Sequence, residues 1–101
     1  MASKPIHFHP EADREFLSSL AWYSERSSSA ALDFEAEFQR AITAIKEAPE
    51  RWPAYLSNYR RYVLRQFPFS IVYRIRDDEI LVLAVAHAHR KPGYWRKHVS
   101  Q

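Results

Sequence analysis

The chain has no cysteine, which excludes both a disulfide framework and a thiolate metal site. Nothing in this count asks for an oxidising compartment. No window approaches the roughly 18 apolar residues of a membrane span, so no membrane role is expected. The start, Met1-Ala2-Ser3-Lys4-Pro5-Ile6-His7, lacks the apolar centre of a signal peptide, and a soluble cytoplasmic protein is the expectation. Repeats and low-complexity tracts are absent apart from Ser27-Ser28-Ser29. Glycine is nearly absent too, with Gly93 alone, next to Pro92, marking a turn. What is present is apolar: 47% of the 101 residues are hydrophobic and 15% aromatic, which argues against disorder. A chain of this length is one domain, residues 1–101, able to bury about two thirds of its unfolded surface.

Charge is divided along the chain. Residues 1–50 carry nine acidic and five basic side chains, a balance of −4; residues 51–101 carry three acidic and ten basic, a balance of +7. The basic half is mostly arginine, the side chain whose forked donors suit phosphate and carboxylate. A modest net charge of +3 thus conceals a cationic patch that attracts an anionic partner. A charge run of this kind is often only a solvated face. Here the arginines alternate with aliphatic and aromatic residues, which favours a shaped basic surface.

Hydrophobic spacing organises the rest. Ile6 to His9 is a short strand ended by Pro10, which sits well at a helix start with Glu11, Asp13 and Glu15 behind it. Ala12, Phe16, Leu20 and Tyr23 form a helical stripe, with Leu17 beside it, and any of the three serines that follow suits a helix cap. From Ala30 to Ala48, Ala31, Phe34, Phe38, Ala41, Ile42 and Ile45 form a second stripe. Glu35, Glu37, Arg40 and Lys46 are placed elsewhere on that wheel, and Pro49 stops the helix. After Pro53 the period becomes two. Arg61, Val63 and Arg65 alternate with Tyr62 and Leu64. Phe69, Ile71, Tyr73 and Ile75 alternate with Ser70, Val72, Arg74 and Arg76. Asp77-Asp78 reads as a hairpin turn, and Ile80 to Ala86, apolar on both faces, as a central strand. The order β-α-α-β-β-β predicts an α+β fold: a helical hairpin on one face of a mainly antiparallel four-stranded sheet. The other face is expected to stay half open and to carry Arg61, Arg65 and Arg74, although a one-residue slip in register would exchange the two faces.

This order resembles the RelE/ParE superfamily of toxins from bacterial toxin–antitoxin modules, over nearly the whole chain. The residues that carry the resemblance are Pro10-Glu11-Ala12 after the first strand, the Ala30-Ala31 helix start and the Ile45 to Pro49 ending. The run from Tyr59-Arg60-Arg61 through Phe67-Pro68-Phe69-Ser70-Ile71-Val72-Tyr73-Arg74-Ile75 and the close Ile80 to Arg90 complete it. The resemblance implies a toxin neutralised by a cognate antitoxin that supplies an acidic or amphipathic segment, in a toxin–antitoxin hetero-oligomer. Two activities follow from it. The RelE branch is a metal-free endonuclease on messenger RNA in the ribosome; the ParE branch inhibits DNA gyrase. His87-x-His89-Arg90-Lys91-Pro92 is similar to ParE-type and plasmid stabilization members, and Arg60, Arg61 and Arg65 stand where the RNA-cutting members carry lysines. Growth arrest through gyrase is therefore the leading expectation, the ribosome-dependent nuclease the alternative, and a non-catalytic module whose basic groove receives an acidic peptide the third.

Metal-free RNA cleavage needs a base for the 2′-hydroxyl, an acid for the leaving oxygen and cations on the phosphorane. For that chemistry the candidates are His87 and His89, two apart, with Arg65. Arg60, Arg61, Arg65, Arg74 and Arg90 are candidates for holding phosphate or target, and Tyr94 and Trp95 for stacking. The plain alternative is that His87 ends its strand with a structural hydrogen bond and that His89 lies on the surface. His7-x-His9 and His87-x-His89 form no zinc signature, because nothing links the pairs or completes four ligands; no metal and no cofactor are expected. Trp22 is read as packing or an antitoxin contact, and Trp52 as a loop anchor.

Overall fold

The computed structural model describes residues 4–99. Met1 to Ser3 of the N-terminal reading, and the last two positions of the expected domain, lie outside the described residues. The elements in chain order are β1 (Ile6–Phe8), α1 (Pro10–Arg26), α2 (Ser28–Glu47), β2 (Ala54–Tyr55), β3 (Tyr59–Val63), β4 (Phe69–Arg76), β5 (Glu79–His87) and α3 (Arg96–Val99). Among the described residues no helix is long and apolar enough to cross a membrane.

Local chemistry sets the helix ends. Pro10 begins α1, where its missing N–H costs nothing, and His9 Nδ1 accepts the Glu11 N–H at 3.0 Å. Of the three serines, Ser27 makes the joint. Its N–H donates to Tyr23 O at 2.8 Å, closing α1, and its Oγ accepts from the Ala30 N–H at 3.2 Å, opening α2. One extended residue thus reverses the chain between two helices.

The sheet has five strands in the order β1-β5-β4-β3-β2, with β1 parallel to β5 and the other pairs antiparallel. The α+β class and the helical hairpin match the expectation; the strand count does not. The additional strand, β2, is two residues long, too short for any alternation to show in sequence. A bulge between Val72 and Tyr73 admits an extra residue on β5, so Leu83 and Ala84 both reach the same cluster.

Two cores result. Between helices and sheet lie Phe34, Phe38, Ile45, Ile71, Tyr73, Ile80 and Val82, with Phe16, Tyr23 and Phe67 packed against them. On the opposite face Val72, Leu83, Ala84 and Trp95 form a second cluster, flanked by Tyr55, Leu56, Tyr59 and Tyr94. That face is therefore less open than expected. The segment after β5 folds back over it and places Trp95 at 1% exposure on Val72 and Leu83. Gly93, at φ +82°, allows the reversal, and the Leu56 side chain lies 3.5 Å from where a Cβ would stand.

Glu37 also departs from the wheel. It is the one buried charged residue among those described, and it accepts the N–H groups of Arg65 at 2.5 Å and Gln66 at 3.1 Å. It lies three residues after Phe34 and four before Ala41, so its place on the inner stripe was visible in the spacing.

Candidate target-binding face

By strand alternation Arg61 and Val63 on β3, and Arg74 and Arg76 on β4, project from the face away from the helices. Arg61 packs its guanidinium over Tyr55, 4.1 Å from the ring centre, and Arg90 packs over Tyr94 at 3.8 Å. Arg61, Arg90 and Lys91 line a small cleft of about 80 Å³ together with Tyr55, Tyr94 and Ser70. Three ion pairs occur among the described residues, Lys4–Asp78, His7–Glu79 and Arg14–Glu11; none uses an arginine of the basic half. Arg61 and Arg90 are held by ring stacking and, like Lys91, have no carboxylate partner within ion-pair distance among the described residues, which keeps them available to an anion.

Each candidate residue can be placed. Arg61 and Arg90 meet in the cleft, and Arg74 stands on the same sheet face with its Nε buried and without an acceptor among the described residues. Arg60 turns to the helix side instead, where it donates to the carbonyl oxygens of Glu50 at 3.1 Å and Trp52 at 2.6 Å. That bonding removes it from the expected patch, because adjacent strand residues face opposite ways. Arg65 is exposed in the turn after β3 and lines a different recess, with Trp52 and Val63. Trp95 is buried, so the stacking role expected for it is corrected to a core role. Tyr94 is half buried, and its hydroxyl donates to Glu15; burial first, then that carboxylate, push its pKa up from the usual tyrosine value.

The two histidines lie side by side, although β5 ends at His87. A turn returns the chain so that the rings stack with centres 5.1 Å apart, and His87 Nδ1 accepts the His89 N–H at 3.1 Å. His87 also packs edge-on against Phe69, 5.0 Å between centres. It borders both the cleft and an apolar recess of about 420 Å³ along α1, whose walls include Trp22, Tyr23 and Pro68. Trp22 is 51% exposed, with the Arg26 guanidinium 3.7 Å above it. Among the described residues no group of three or more His, Asp or Glu is placed to hold a metal.

Glu15 was not singled out by the sequence. Its carboxylate accepts the Val85 N–H at 2.9 Å and the Tyr94 hydroxyl, tying α1 to β5 and to the segment that covers the second core. Its position three after Ala12 sets it on the flank of the α1 stripe, but nothing in that spacing marks its partners.

Fold and face together define a small α+β domain with a helical hairpin on one side and an arginine-bearing sheet on the other. The family model described as "ParE toxin of type II toxin-antitoxin system, parDE" matches residues 6–92, and the chain belongs to that family. It is the toxin component of a type II toxin–antitoxin system, and an antitoxin is its partner. Among relatives, Toxin ParE2 of two strains of Mycobacterium tuberculosis, CDC 1551 / Oshkosh and H37Rv, is 23% identical over 99 residues, covering 97% of this chain and 94% of the relative. A solved structure titled "Chromosomal ParDE TA system from P. aeruginosa" superposes with a TM-score of 0.74 at 15% identity, covering 86% of this chain and 98% of that one. At that identity the likeness speaks for the fold alone.

Proposed function

We propose that the protein arrests bacterial growth by binding DNA gyrase in the cytoplasm through its arginine-bearing sheet face, without catalysing a reaction. The observation that carries this reading is the cleft of Arg61, Arg90 and Lys91, its two arginines stacked on tyrosines and none of the three in an ion pair among the described residues. Such a cleft grips an anionic surface, and membership of the ParE family is what favours gyrase as the owner of that surface. The residues named for strand cleavage give less support to the nuclease alternative. Arg65 lines a recess away from His87, and His87 Nδ1 is engaged with the backbone of His89.

The test has two arms. Induced expression of the full chain is expected to stop growth, and co-expression of the adjacent gene product to restore it. Purified protein added to gyrase is expected to suppress ATP-dependent supercoiling, while primer extension on RNA from arrested cells shows no new ends. Codon-phased cuts with normal supercoiling would overturn the gyrase reading in favour of the nuclease. Unimpaired growth with folded protein present would count against any toxic activity of this copy.

A further inference from the structure

The acidic and basic halves of the chain come together at Arg90. Its guanidinium lies 3.8 Å from the centre of the Tyr94 ring, and the residue borders the cleft that also holds Arg61 and Lys91. Arg90 borders a second recess as well, of about 330 Å³, on the α1 side, and two carboxylates line that one, Glu11 and Glu15. An arginine so placed is open to capture from within, because an internal ion pair forms without the entropy cost of association. Yet among the described residues no carboxylate lies within ion-pair distance of Arg90. Each neighbouring carboxylate is engaged elsewhere. Glu11 pairs with Arg14. Glu15 uses both oxygens: Oε1 accepts the Val85 N–H at 2.9 Å, and Oε2 accepts the Tyr94 hydroxyl. Tyr94 thus stands between opposite charges, its ring under Arg90 and its hydroxyl on Glu15. Burial first, then the Glu15 bond and charge, raise its pKa against the opposing effect of Arg90, so the hydroxyl stays protonated and remains a donor. The Arg90 backbone is held separately, by Ala88 N–H to Pro68 O at 2.8 Å and Arg90 N–H to His87 O at 2.9 Å. Those bonds fix where the side chain begins, and the Tyr94 ring fixes where its guanidinium lies.

We propose that Tyr94 is a positioning residue that keeps Arg90 free: its hydroxyl occupies Glu15 and so prevents an internal Glu15–Arg90 ion pair that would neutralise one cation of the cleft. The functional consequence rests on the reading of that cleft as the target-binding site; the charge arrangement itself does not. A half-buried carboxylate oxygen that loses its donor carries a desolvation cost until another donor reaches it. Of the arginines lining the recess, Arg14 is taken by Glu11, which leaves Arg90, on a long flexible stem one ring away. A guanidinium–carboxylate hydrogen bond is charge-assisted and stronger than stacking on an exposed ring. Without the hydroxyl, the guanidinium is therefore expected to leave the ring for Glu15, and the cleft to lose a positive charge without losing its fold.

Two substitutions test this in the full-length protein. Tyr94→Phe keeps the ring and deletes the hydroxyl; Glu15→Gln keeps an acceptor for the Val85 N–H and removes the charge. The parent, Tyr94→Phe and the double variant carrying both are compared in two measurements. The first needs no target: NMR of the Arg90 side-chain Nε–H. Its solvent exchange is expected to slow about tenfold in Tyr94→Phe, as a carboxylate takes the group, and to return to the parent's rate in the double variant. The second is gyrase supercoiling. Tyr94→Phe is expected to raise the concentration for half inhibition about tenfold, and the double variant to restore it. Thermal unfolding separates a merely structural brace, for which inhibition would follow Tm while the Arg90 exchange stayed at the parent's rate. Unaltered Arg90 exchange in Tyr94→Phe, or a double variant as slow in exchange as the single, would overturn the inference. A parent that leaves gyrase untouched while the exchange behaves as expected would remove the gyrase reading and keep this one; inhibition by the parent with unaltered exchange would do the reverse.

Discussion

Replacing Glu37 tests how the basic turn is held. Its carboxylate sits on the inner side of α2 and accepts two backbone N–H groups, from Arg65 at 2.5 Å and Gln66 at 3.1 Å. These are the second and third residues past the end of β3, in the turn that leads to β4. A hydrogen bond to a charged group contributes about 1.5–3 kcal/mol. Glu37→Ala deletes two. Water can reach the partly buried amides once the side chain is gone, and the desolvation cost of the carboxylate is recovered. The net loss is expected at about 2–3 kcal/mol, a drop in Tm of about 10–20 °C for a domain of this size. Glu37→Gln keeps one acceptor but sets an NH₂ against the second amide, so about 1–2 kcal/mol is expected. Urea unfolding measures both, and hydrogen exchange localises the effect. The Arg65 and Gln66 amides should lose protection beyond what the global change explains. An alanine variant within about 0.5 kcal/mol of the parent, or unaltered exchange at those two amides, would refute the reasoning, since a surface glutamate behaves that way.

Trp95→Ala is expected to cost about 3–5 kcal/mol, the range for emptying a buried aromatic site, and thermal unfolding checks it; a near-neutral change would mean that the second core does not form. Alkaline pH is expected to destabilise the fold through its tyrosines. Burial lifts the Tyr73 pKa to about 12, opposed by Arg60, and its hydroxyl donates to Pro49 O at 2.6 Å. A raised folded-state pKa means that the stabilisation is complete below pH 10 and is lost as pH climbs toward 12, on the order of 2–3 kcal/mol. Denaturation at stepped pH should show that fall, and Tyr73→Phe should flatten it. Changing both Arg61 and Arg90 to Ala is expected to abolish growth arrest while the far-UV spectrum stays near the parent's; retained toxicity would remove the basic face from the mechanism.

How legible the fold was depended on length and period. α1 and α2 repeat their apolar stripes over enough turns to be read, and β4 and β5 declare themselves by alternation and by a continuous apolar run. β2 and α3, two and four residues long, hold their shape through their neighbours and leave no periodic trace. The face of each arginine on β3 followed from the two-residue period once a register existed. Arg60 and Arg61 are alike in sequence, yet one is bonded to the carbonyls after α2 and the other lies over Tyr55. Trp95 beside Arg96 and Lys97 resembled a surface aromatic. Its burial depends on the turn at Gly93 and on a hollow over Val72 that no local signal describes.

By itself the sequence determined the element order, the helical hairpin and the charge division, because each is written in spacing or composition along the chain; the toxin family was legible only as a resemblance of ordered residue runs. Tertiary structure alone decided which cations stand together and which carboxylates, Glu15 and Glu37, are spent on backbone donors. Those outcomes depend on the register between segments far apart in sequence, and a shift of one residue there turns a side chain from the core to the solvent.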